Sequence, residues 1–372
     1  MKRREFVGTG ACALAALGWQ PVRAKAPLKI LILGGTRFLG VHMTELALER
    51  GHTVTLFNRG RSRADLFPGV ERIKGDRDGQ IEGLEGRSWD AVIDNSGYVP
   101  RHVRLSAEAL AADVQQYVFV SSISVYPDFS VPRTEDSPVG KLADESVEKV
   151  DGETYGPLKA LCEQAAERAF PGRTTVLRPG LIVGPEDNTD RFTYWPARAA
   201  RGGELLAPND PSDRIQVIDA RDLAAFALDA IENRTSGIFN LVSPPDRFTI
   251  GELVKASTAA ARRQAKPAEA PRPIWVPAAF LSQQKVEGWS DLPVWVHATG
   301  EEAGFADTSA ERAMKAGLSI RPLAATVRDT LAWHLKRPPA EREKLKAGIA
   351  PEREREVLAA WRAARAAASP AS

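Results

Sequence analysis

The stretch that decides the fold is residues 29–40, with the sequence KILILGGTRFLG. Its four consecutive aliphatic residues, Ile30 to Leu33, predict a buried parallel strand. Glycines follow at once, and residues 41–50 read as a helix that stops at Gly51. A strand, a glycine turn and a helix in this order are the context in which glycines bind a dinucleotide. An ordinary tight βα turn is the alternative, and the rest of the chain decides between them.

Three glycines have separate roles in this interpretation. Gly34 permits the tight turn, Gly35 leaves room for a pyrophosphate, and Gly40 lets the helix pack close to the strand. The helix N-terminus presents free N–H groups and the positive end of its dipole to the phosphates. The cofactor-binding residues predicted in this turn are Gly34, Gly35, Thr36, Arg37, Phe38, Leu39 and Gly40.

Composition excludes several other classes of protein. The 372 residues are 43% hydrophobic and 26% charged, which is typical of a soluble globular protein with one large α/β unit or two domains. Residues 1–26 hold five basic side chains and one acidic one, so the net charge of +2 becomes −2 without them. No global basic field for nucleic acid remains. Cys12 and Cys162 are the only cysteines, which excludes disulfide frameworks and cysteine-based zinc sites.

The N-terminus has the layout of an export signal. Paired arginines, Arg3 and Arg4, precede an apolar run over residues 8–18 and the small-residue segment 24–26. This layout resembles a twin-arginine signal peptide over residues 1–26, and predicts a periplasmic or otherwise exported mature protein. A short N-terminal helix with chance arginines is the alternative. No other stretch reaches the roughly 20 apolar residues that a membrane span requires.

The end of the second predicted strand indicates the nucleotide. Residues 52–57 alternate like a strand and lead into Asn58 and Arg59. An acidic residue near this point binds the ribose 2′-OH of NAD, whereas an arginine suits the 2′-phosphate of NADP. Because Arg59 stands there without an acid, NADP is favoured over NAD. A solvated arginine loop is the alternative.

Strands and helices continue to alternate. Residues 70–75, 89–94 and 116–120 read as further strands, and residues 102–113 as a helix, which predicts a doubly wound parallel sheet. Ligands bind at the carboxyl ends of the strands in such sheets. The polar residues that follow these strands are Asp76, Arg77, Ser96, Ser121 and Ser122.

A tyrosine and a lysine supply the candidate chemistry. Tyr155 and Lys159 are four residues apart on a predicted helix and therefore lie on one face of it. A neighbouring ammonium favours the phenolate, which makes the phenol a better base than its usual pKa allows. Ser122 is placed to donate a hydrogen bond to the same substrate oxygen. An exposed i,i+4 pair is the alternative interpretation.

These motifs together, with Leu177-Arg178-Pro179-Gly180, resemble an extended short-chain dehydrogenase/reductase. More narrowly, residues 28–336 resemble the NAD-dependent epimerase/dehydratase family. The resemblance implies that Tyr155 is the catalytic acid/base, and that Lys159 binds the nicotinamide ribose and tunes Tyr155. It places Ser122 at the family's catalytic Ser/Thr position, with Ser124 next in line.

The resemblance also implies the rest of the cofactor site and the domains. The cofactor neighbours it implies are Asp76 and Arg77 beside the adenine, Ser96 and Gly97 along the cofactor, and Pro179, Leu181 and Ile182 over the nicotinamide. The implied domains are a Rossmann domain over 28–180, a smaller substrate-binding lobe over 181–336 and a helical appendage with a disordered end over 337–372. A homodimer is plausible by resemblance alone.

Two residues depart from the family pattern. Arg37 replaces the middle glycine of the usual motif, a feature shared with an atypical branch that includes chloroplast RNA-associated members. Leu181 stands where sugar-nucleotide epimerases usually have a substrate-binding asparagine.

On the substrate side, the aromatic and cationic segment with Arg191, Tyr194 and Trp195 suits stacking on a sugar face, although a packed core is equally consistent with Trp195. Residues 244–277 read as helix and loop. Two functions therefore stand: an NAD(P)-dependent oxidoreductase or epimerase acting on a sugar-like small molecule, or a non-catalytic dinucleotide-sensing or RNA-associated module on the same fold.

Overall fold

The computed structural model describes residues 26–63 and 65–368. The predicted export signal lies outside them except for Ala26, as does the end of the chain after residue 368. The strands are β1 Lys29–Leu33, β2 Thr53–Asn58, β3 Glu71–Lys74, β4 Trp89–Asp94, β5 Val114–Val120, β6 Thr174–Pro179, β7 Leu181–Val183, β8 Glu204–Pro208, β9 Arg214–Ile215, β10 Val217–Asp219, β11 Gly237–Leu241, β12 Phe248–Thr249 and β13 Arg272–Val276. The α-helices are α1 Leu39–Glu49, α2 Pro100–Leu110, α3 Tyr155–Ala169, α4 Tyr194–Ala200, α5 Ala220–Glu232, α6 Ile250–Gln264, α7 Ala278–Gln283, α8 Glu311–Lys315, α9 Leu323–Lys336, α10 Pro339–Glu343 and α11 Pro351–Ala368.

A parallel seven-stranded sheet forms the centre of the molecule, in the order β3-β2-β1-β4-β5-β6-β11. The strand order reverses between β1 and β4, which is the switch point where doubly wound sheets bind ligands. Leu33 pairs with Asp94, and Asp94 with Phe119, so the carboxyl ends of β1, β4 and β5 lie level. The α/β doubly wound prediction is confirmed.

Both faces of the sheet are buried, because alternate strand residues pack against helices on opposite sides. Ile30 and Ile32 face α1 and α5 in one hydrophobic cluster, whereas Leu31 and Leu33 face α2 and α3 in another. Burial on both sides explains why β1 reads as an unbroken aliphatic run instead of an alternating one.

The smaller lobe has its own core, built from three two-stranded sheets and the helices α4, α6, α7, α9 and α11. The segment 244–277 contains the strand β13, parallel to β8, in addition to the predicted helix and loop. The final helix is more than an appendage, since Val357 and Leu358 are buried in this core. Among the described helices, none combines the length and apolar character needed to cross a membrane.

Candidate active site

The glycine turn after β1 has a backbone that only glycine adopts readily. Gly34 and Gly35 have φ angles of +116° and +90°, and a Cβ on Gly34 would lie 2.4 Å from Asn95 Oδ1. A Cβ on Gly40 would lie 2.8 Å from the Cα of Gly35, so this glycine sets how closely α1 approaches the turn. In the described part of the chain, no side chain caps α1 at Phe38, which leaves the positive end of the helix dipole open to a phosphate. The N–H groups of Gly40 and Val41 donate to the carbonyls of Arg37 and Phe38, each at 2.9 Å.

The other residues predicted in this turn lie around it. Thr36 is buried, with its Oγ1 3.1 Å from Ser62 Oγ, and Leu39 is buried in the core. Arg37 is exposed and Phe38, the residue before α1, has a φ of +38°. Asn58 Nδ2 donates to the Gly34 carbonyl at 3.2 Å, which joins the end of β2 to the glycine turn.

Arg59 follows Asn58 and is exposed at the carboxyl edge of the sheet. Asn58 Oδ1 accepts the Gly60 N–H at 2.9 Å, so the loop that carries Arg59 is held at its base.

Arg77 does not extend towards an adenine site, and this corrects the role implied by the resemblance. Its two terminal nitrogens each donate to a different oxygen of Asp94 at 2.6 Å. Asp94 is fully buried and also accepts the Tyr117 hydroxyl at 2.7 Å. Only 9% of Arg77 is exposed, and its guanidinium is held by Asp94 at the switch point between β1 and β4. Asp76 is half-buried and accepts the Asp78 N–H at 3.2 Å.

The ends of β4 and β5 are tied together by Lys159. Its ammonium donates to the carbonyls of Gly97 and Val120, each at 2.6 Å, and lies 4.3 Å from the centre of the Phe119 ring. Burial lowers the pKa of Lys159 to about 8, since only 3% of the residue is exposed. Ser96 Oγ donates to the Leu33 carbonyl at 2.9 Å, which links β4 to β1.

Tyr155 begins α3 and is brought to the end of β5 by the glycine that follows it. A Cβ on Gly156 would lie 1.9 Å from the Ser124 carbonyl oxygen, so only glycine lets α3 approach this turn so closely. Ser122 Oγ accepts the Ser124 N–H and donates to Ser124 Oγ, both at 3.0 Å. The structure therefore brings Tyr155, Ser122 and Ser124 together.

Burial raises the pKa of Tyr155, while hydrogen bonding to Ser122 and the charge of Arg191 act in the opposite direction. In the protein without nucleotide, we therefore expect this phenol to ionise above the usual tyrosine pKa of about 10. Oxidised nucleotide should shift the ionisation to lower pH, since a positive ring favours the phenolate. The measurement is a pH titration of tyrosinate absorbance, taken as the difference between the protein and Tyr155→Phe. A phenol that ionises at or below the usual pKa without nucleotide would contradict this expectation.

Pro179, Leu181 and Ile182 lie where β6 ends and β7 begins. Pro179 and Leu181 are buried and Ile182 is half-buried, and β7 pairs with β10 of the smaller lobe. Gly180 donates its N–H to the Leu241 carbonyl at 3.1 Å, which holds this segment to the end of β11.

Beside Tyr155 a cleft of about 910 Å³ opens between the two parts of the molecule. Its wall includes Ser124, Tyr126, Phe129, Tyr155, Trp289 and Phe305. The guanidinium of Arg191 lies 5.2 Å from the centre of the Trp289 ring. Tyr98, which the sequence analysis missed, lies beside Tyr155 with 6.4 Å between the ring centres.

Tyr194 and Trp195 are not substrate contacts in this structure, which corrects their predicted role. They are 1% and 0% exposed and belong to the core of the smaller lobe. Trp195 Nε1 donates to the Pro293 carbonyl at 2.7 Å, so its polar atom is satisfied inside the protein. Of the three predicted substrate residues, Arg191 alone stays beside the cleft.

The arrangement is similar to that of a known class of proteins. A doubly wound parallel sheet with a glycine turn at the switch point, and a Tyr-x-x-x-Lys helix beside a strand-end serine, resembles a short-chain dehydrogenase/reductase. More particularly, residues 99–241 match the model of the NAD dependent epimerase/dehydratase family, which is less than half of the chain.

Two curated relatives are similar in sequence. The chloroplast stem-loop binding protein of 41 kDa b from Arabidopsis thaliana is 29% identical over 261 residues, which cover 63% of this chain and 64% of that protein. The epimerase family protein SDR39U1 from Bos taurus is 27% identical over 311 residues, which cover 76% of this chain and 98% of that protein. The chain thus spans less than two thirds of the Arabidopsis relative.

Solved structures share the fold. Human epimerase family protein SDR39U1 with NADPH is 22% identical and has a TM-score of 0.54, over 82% of this chain and 99% of that one. The Bordetella bronchiseptica enzyme WbmH in complex with NAD+ is 17% identical and has a TM-score of 0.59, over 84% of this chain and 99% of that one. At these identities the likeness shows the fold alone.

Proposed function

We propose that this protein is an NAD(P)-dependent oxidoreductase or epimerase that acts on a carbinol or carbonyl group of a sugar-like substrate. The observation that carries the proposal is the position of Tyr155, which lines the open cleft beside Ser122 at the carboxyl edge of the sheet. A phenol in that position can exchange a proton with a substrate oxygen in the cleft. The general oxidoreductase or epimerase role is also supported by the family match and by the relatives named as epimerase family proteins.

The glycine turn fits a dinucleotide, since added side chains would fill it and α1 begins without a side-chain cap among the described residues. Gly34, Gly35 and the N-terminus of α1 would hold the pyrophosphate, and Asp76 would lie near the adenine. Arg59 would bind a 2′-phosphate. When bound, the nicotinamide supplies or accepts a hydride. Neighbours solved with NAD and with NADPH support either nucleotide.

The chain's own residues have separate roles in the proposed reaction. Tyr155 holds or releases the proton at the substrate oxygen. The Ser124 N–H donates to Ser122 Oγ and so orients it, and Ser122 donates to the substrate oxygen once its hydroxyl hydrogen turns away from Ser124 Oγ. Lys159 fixes the carbonyls of Gly97 and Val120, and so keeps the ends of β4 and β5 at a constant separation beside the cofactor site.

The export signal of the sequence analysis leads to a further part of this proposal. A protein exported in folded form can carry its nucleotide from the cytoplasm, where nicotinamide nucleotides are made. A tightly held nucleotide that is regenerated within each turnover fits that route better than one that diffuses away. A mature protein that releases its nucleotide in every turnover would contradict this part.

The first test is to purify the mature protein, denature it and identify any released nucleotide by mass spectrometry. Bound NADP(H) would support the whole proposal, and bound NAD would keep the enzyme while removing the NADP preference. A protein that contains no nucleotide and takes up none on titration would overturn the proposal.

Arg59→Gln should weaken NADP binding about tenfold and leave NAD binding nearly unchanged, because only NADP presents a 2′-phosphate to the guanidinium. Dissociation constants for both nucleotides, measured by calorimetry, give the ratio. Arg61→Gln is the matched control, since Arg61 is an exposed arginine two residues further along the same loop. Equal losses for NAD and NADP would show that Arg59 does not read the 2′-phosphate.

A binding module without catalysis is the second candidate. The name of the Arabidopsis relative, a stem-loop binding protein, and the exposed Arg37 within the glycine turn favour it. The Tyr155 substitution argued in the Discussion separates it from an enzyme.

A further inference from the structure

We infer that the substrate of this cleft is a free sugar acid, with one carboxylate close to the reacting carbon and bound by Arg191, and that it is not a sugar nucleotide. The inference rests on the proposed function, because it names the substrate class of the same cleft. It follows from the surroundings of one arginine and from the charges on the cleft wall.

Among the described residues, the guanidinium of Arg191 forms no ion pair. The side chain is half-buried, and among the described residues no carboxylate lies within the 4.0 Å ion-pair distance of its guanidinium. Four other arginines with little exposed side chain, Arg77, Arg178, Arg198 and Arg337, pair with Asp94, Glu163, Glu354 and Asp190. The buried Arg133 has no such ion pair, but its guanidinium donates to backbone carbonyls and to Thr308. Arg191 has neither arrangement, since its one side-chain hydrogen bond among the described residues goes to Thr189, and a charge buried with so few partners is costly unless a ligand supplies an acceptor.

Thr189 holds Arg191 in place and keeps its terminal nitrogens free for a ligand. Arg191 Nε donates to Thr189 Oγ1 at 3.3 Å, and Thr189 Oγ1 donates to Asp187 Oδ1 at 2.7 Å. The buried carboxylate of Asp187 is linked to the guanidinium through Thr189, and its charge acts on Arg191 from beyond the ion-pair distance. The two terminal NH₂ groups make the parallel fork that fits one carboxylate.

The anion must lie close to the reacting carbon. Arg191 stacks on Trp289, which lines the same cleft as Tyr155. Its charge also acts on the Tyr155 phenol and lowers the pKa of that group against the effect of burial. A carboxylate bound by Arg191 thus belongs to the part of the substrate that Tyr155 contacts.

The remaining wall disfavours a nucleotide diphosphate. The charged residues of the cleft wall are all acidic, namely Asp151, Glu153 and Glu302. Arg191 can neutralise one negative charge, so the further charge of a diphosphate would meet these carboxylates with no other lysine or arginine of the wall to offset it. A single carboxylate avoids most of this repulsion.

Aromatic rings supply the surface for the substrate body. The rings of Trp289 and Phe305 lie 5.5 Å apart, and those of Phe129 and Phe305 lie 5.7 Å apart. Trp289 is 37% exposed although it is a large apolar side chain, and its ring faces the cleft. The apolar C–H face of a sugar ring packs well on such a surface.

The test is calorimetric binding of D-glucuronate and D-glucuronamide to the nucleotide-loaded protein, since the two compounds differ in charge but hardly in shape. We expect the acid to bind at least about tenfold tighter than the amide, and Arg191→Gln to abolish that difference. Arg191→Lys keeps the positive charge and should retain part of the preference for the acid. The control is Arg272→Gln, on an exposed arginine that pairs with Glu269 outside the cleft.

Four outcomes would overturn the inference: equal binding of acid and amide, an unchanged difference in Arg191→Gln, tighter binding of UDP-glucose than of the acid, or no binding of the acid at millimolar concentrations. If Arg191→Gln unfolds, Thr189→Val tests the same orientation and should reduce the preference. These experiments measure binding, so a result that overturns the sugar-acid inference does not depend on whether the protein has any turnover. Arg191-dependent binding of the acid without any oxidation or reduction would instead remove the proposed function.

Discussion

Tyr155→Phe should lower turnover by about 10²–10⁴-fold while nucleotide binding stays within a factor of two or so. The substitution removes one hydroxyl and keeps the ring that packs beside Tyr98. No other described phenol lines the cleft without a fixed partner, because the Tyr126 hydroxyl donates to Asn240 Oδ1 at 2.7 Å. The measurement is the rate of nucleotide oxidation or reduction within the loaded protein, alongside a nucleotide titration.

Tyr98→Phe is the control for this experiment. Tyr98 is 49% exposed and stands next to Tyr155, so it tests whether any tyrosine near the cleft has the same effect. A protein in which both variants turn over as fast as the parent would not use Tyr155 as its acid/base. If no turnover exists to be lost and nucleotide or RNA binding survives the Tyr155 substitution, the binding-module candidate is favoured.

The sheet and the edge that carries the candidate site could be predicted from sequence because their signals are local. Four aliphatic residues, two glycines and a helix within residues 29–50 describe one complete βα unit. Tyr155 and Lys159 are four residues apart on a helix, and Ser122 ends a strand, so their shared edge follows from the rule that parallel strands place their carboxyl ends together. These elements need no knowledge of distant contacts.

The roles of individual polar side chains were harder to predict, because their partners lie far along the chain. Lys159 donates to Gly97 and Val120, which are 62 and 39 residues away, and no spacing rule connects them. The aromatic wall has the same origin, since Phe129 and Phe305 meet only when the smaller lobe folds back on the first domain. Such contacts have no sequence signature of their own.

The prediction that Tyr194 and Trp195 contact the substrate was wrong because it rested on aromatic composition alone. Both lie within four residues after Arg191, and an aromatic run beside a cation is equally typical of a sugar site and of a core helix. α4 is buried along residues 194–199 and packs against α6 and α9, so both rings lie in the core, while Arg191 precedes the helix and stays beside the cleft. The start of α4 thus separates Arg191, beside the cleft, from the two packing residues, and such a boundary is among the least certain features of a sequence prediction.

Arg77→Met should destabilise the protein by about 3–5 kcal/mol, because it leaves Asp94 as a buried charge without its partner. Asp94 is fully buried, and its two oxygens receive Arg77 at 2.6 Å each. The change in free energy of unfolding, measured by denaturant titration, tests this value. Arg87→Met is the matched control, since Arg87 pairs with Glu71 on the surface and should contribute about 1 kcal/mol or less.

Combining Arg77→Met with Asp94→Asn separates a structural role from a nucleotide-binding role. The double variant buries no charge and keeps an acceptor for the Tyr117 hydroxyl, so it should be more stable than Arg77→Met alone. If Arg77 instead bound the adenine, Arg77→Met would weaken nucleotide binding with little change in unfolding, and Asp94→Asn would restore nothing. The sign of the coupling between the two substitutions therefore decides whether Arg77 binds the cofactor or stabilises the switch point through Asp94.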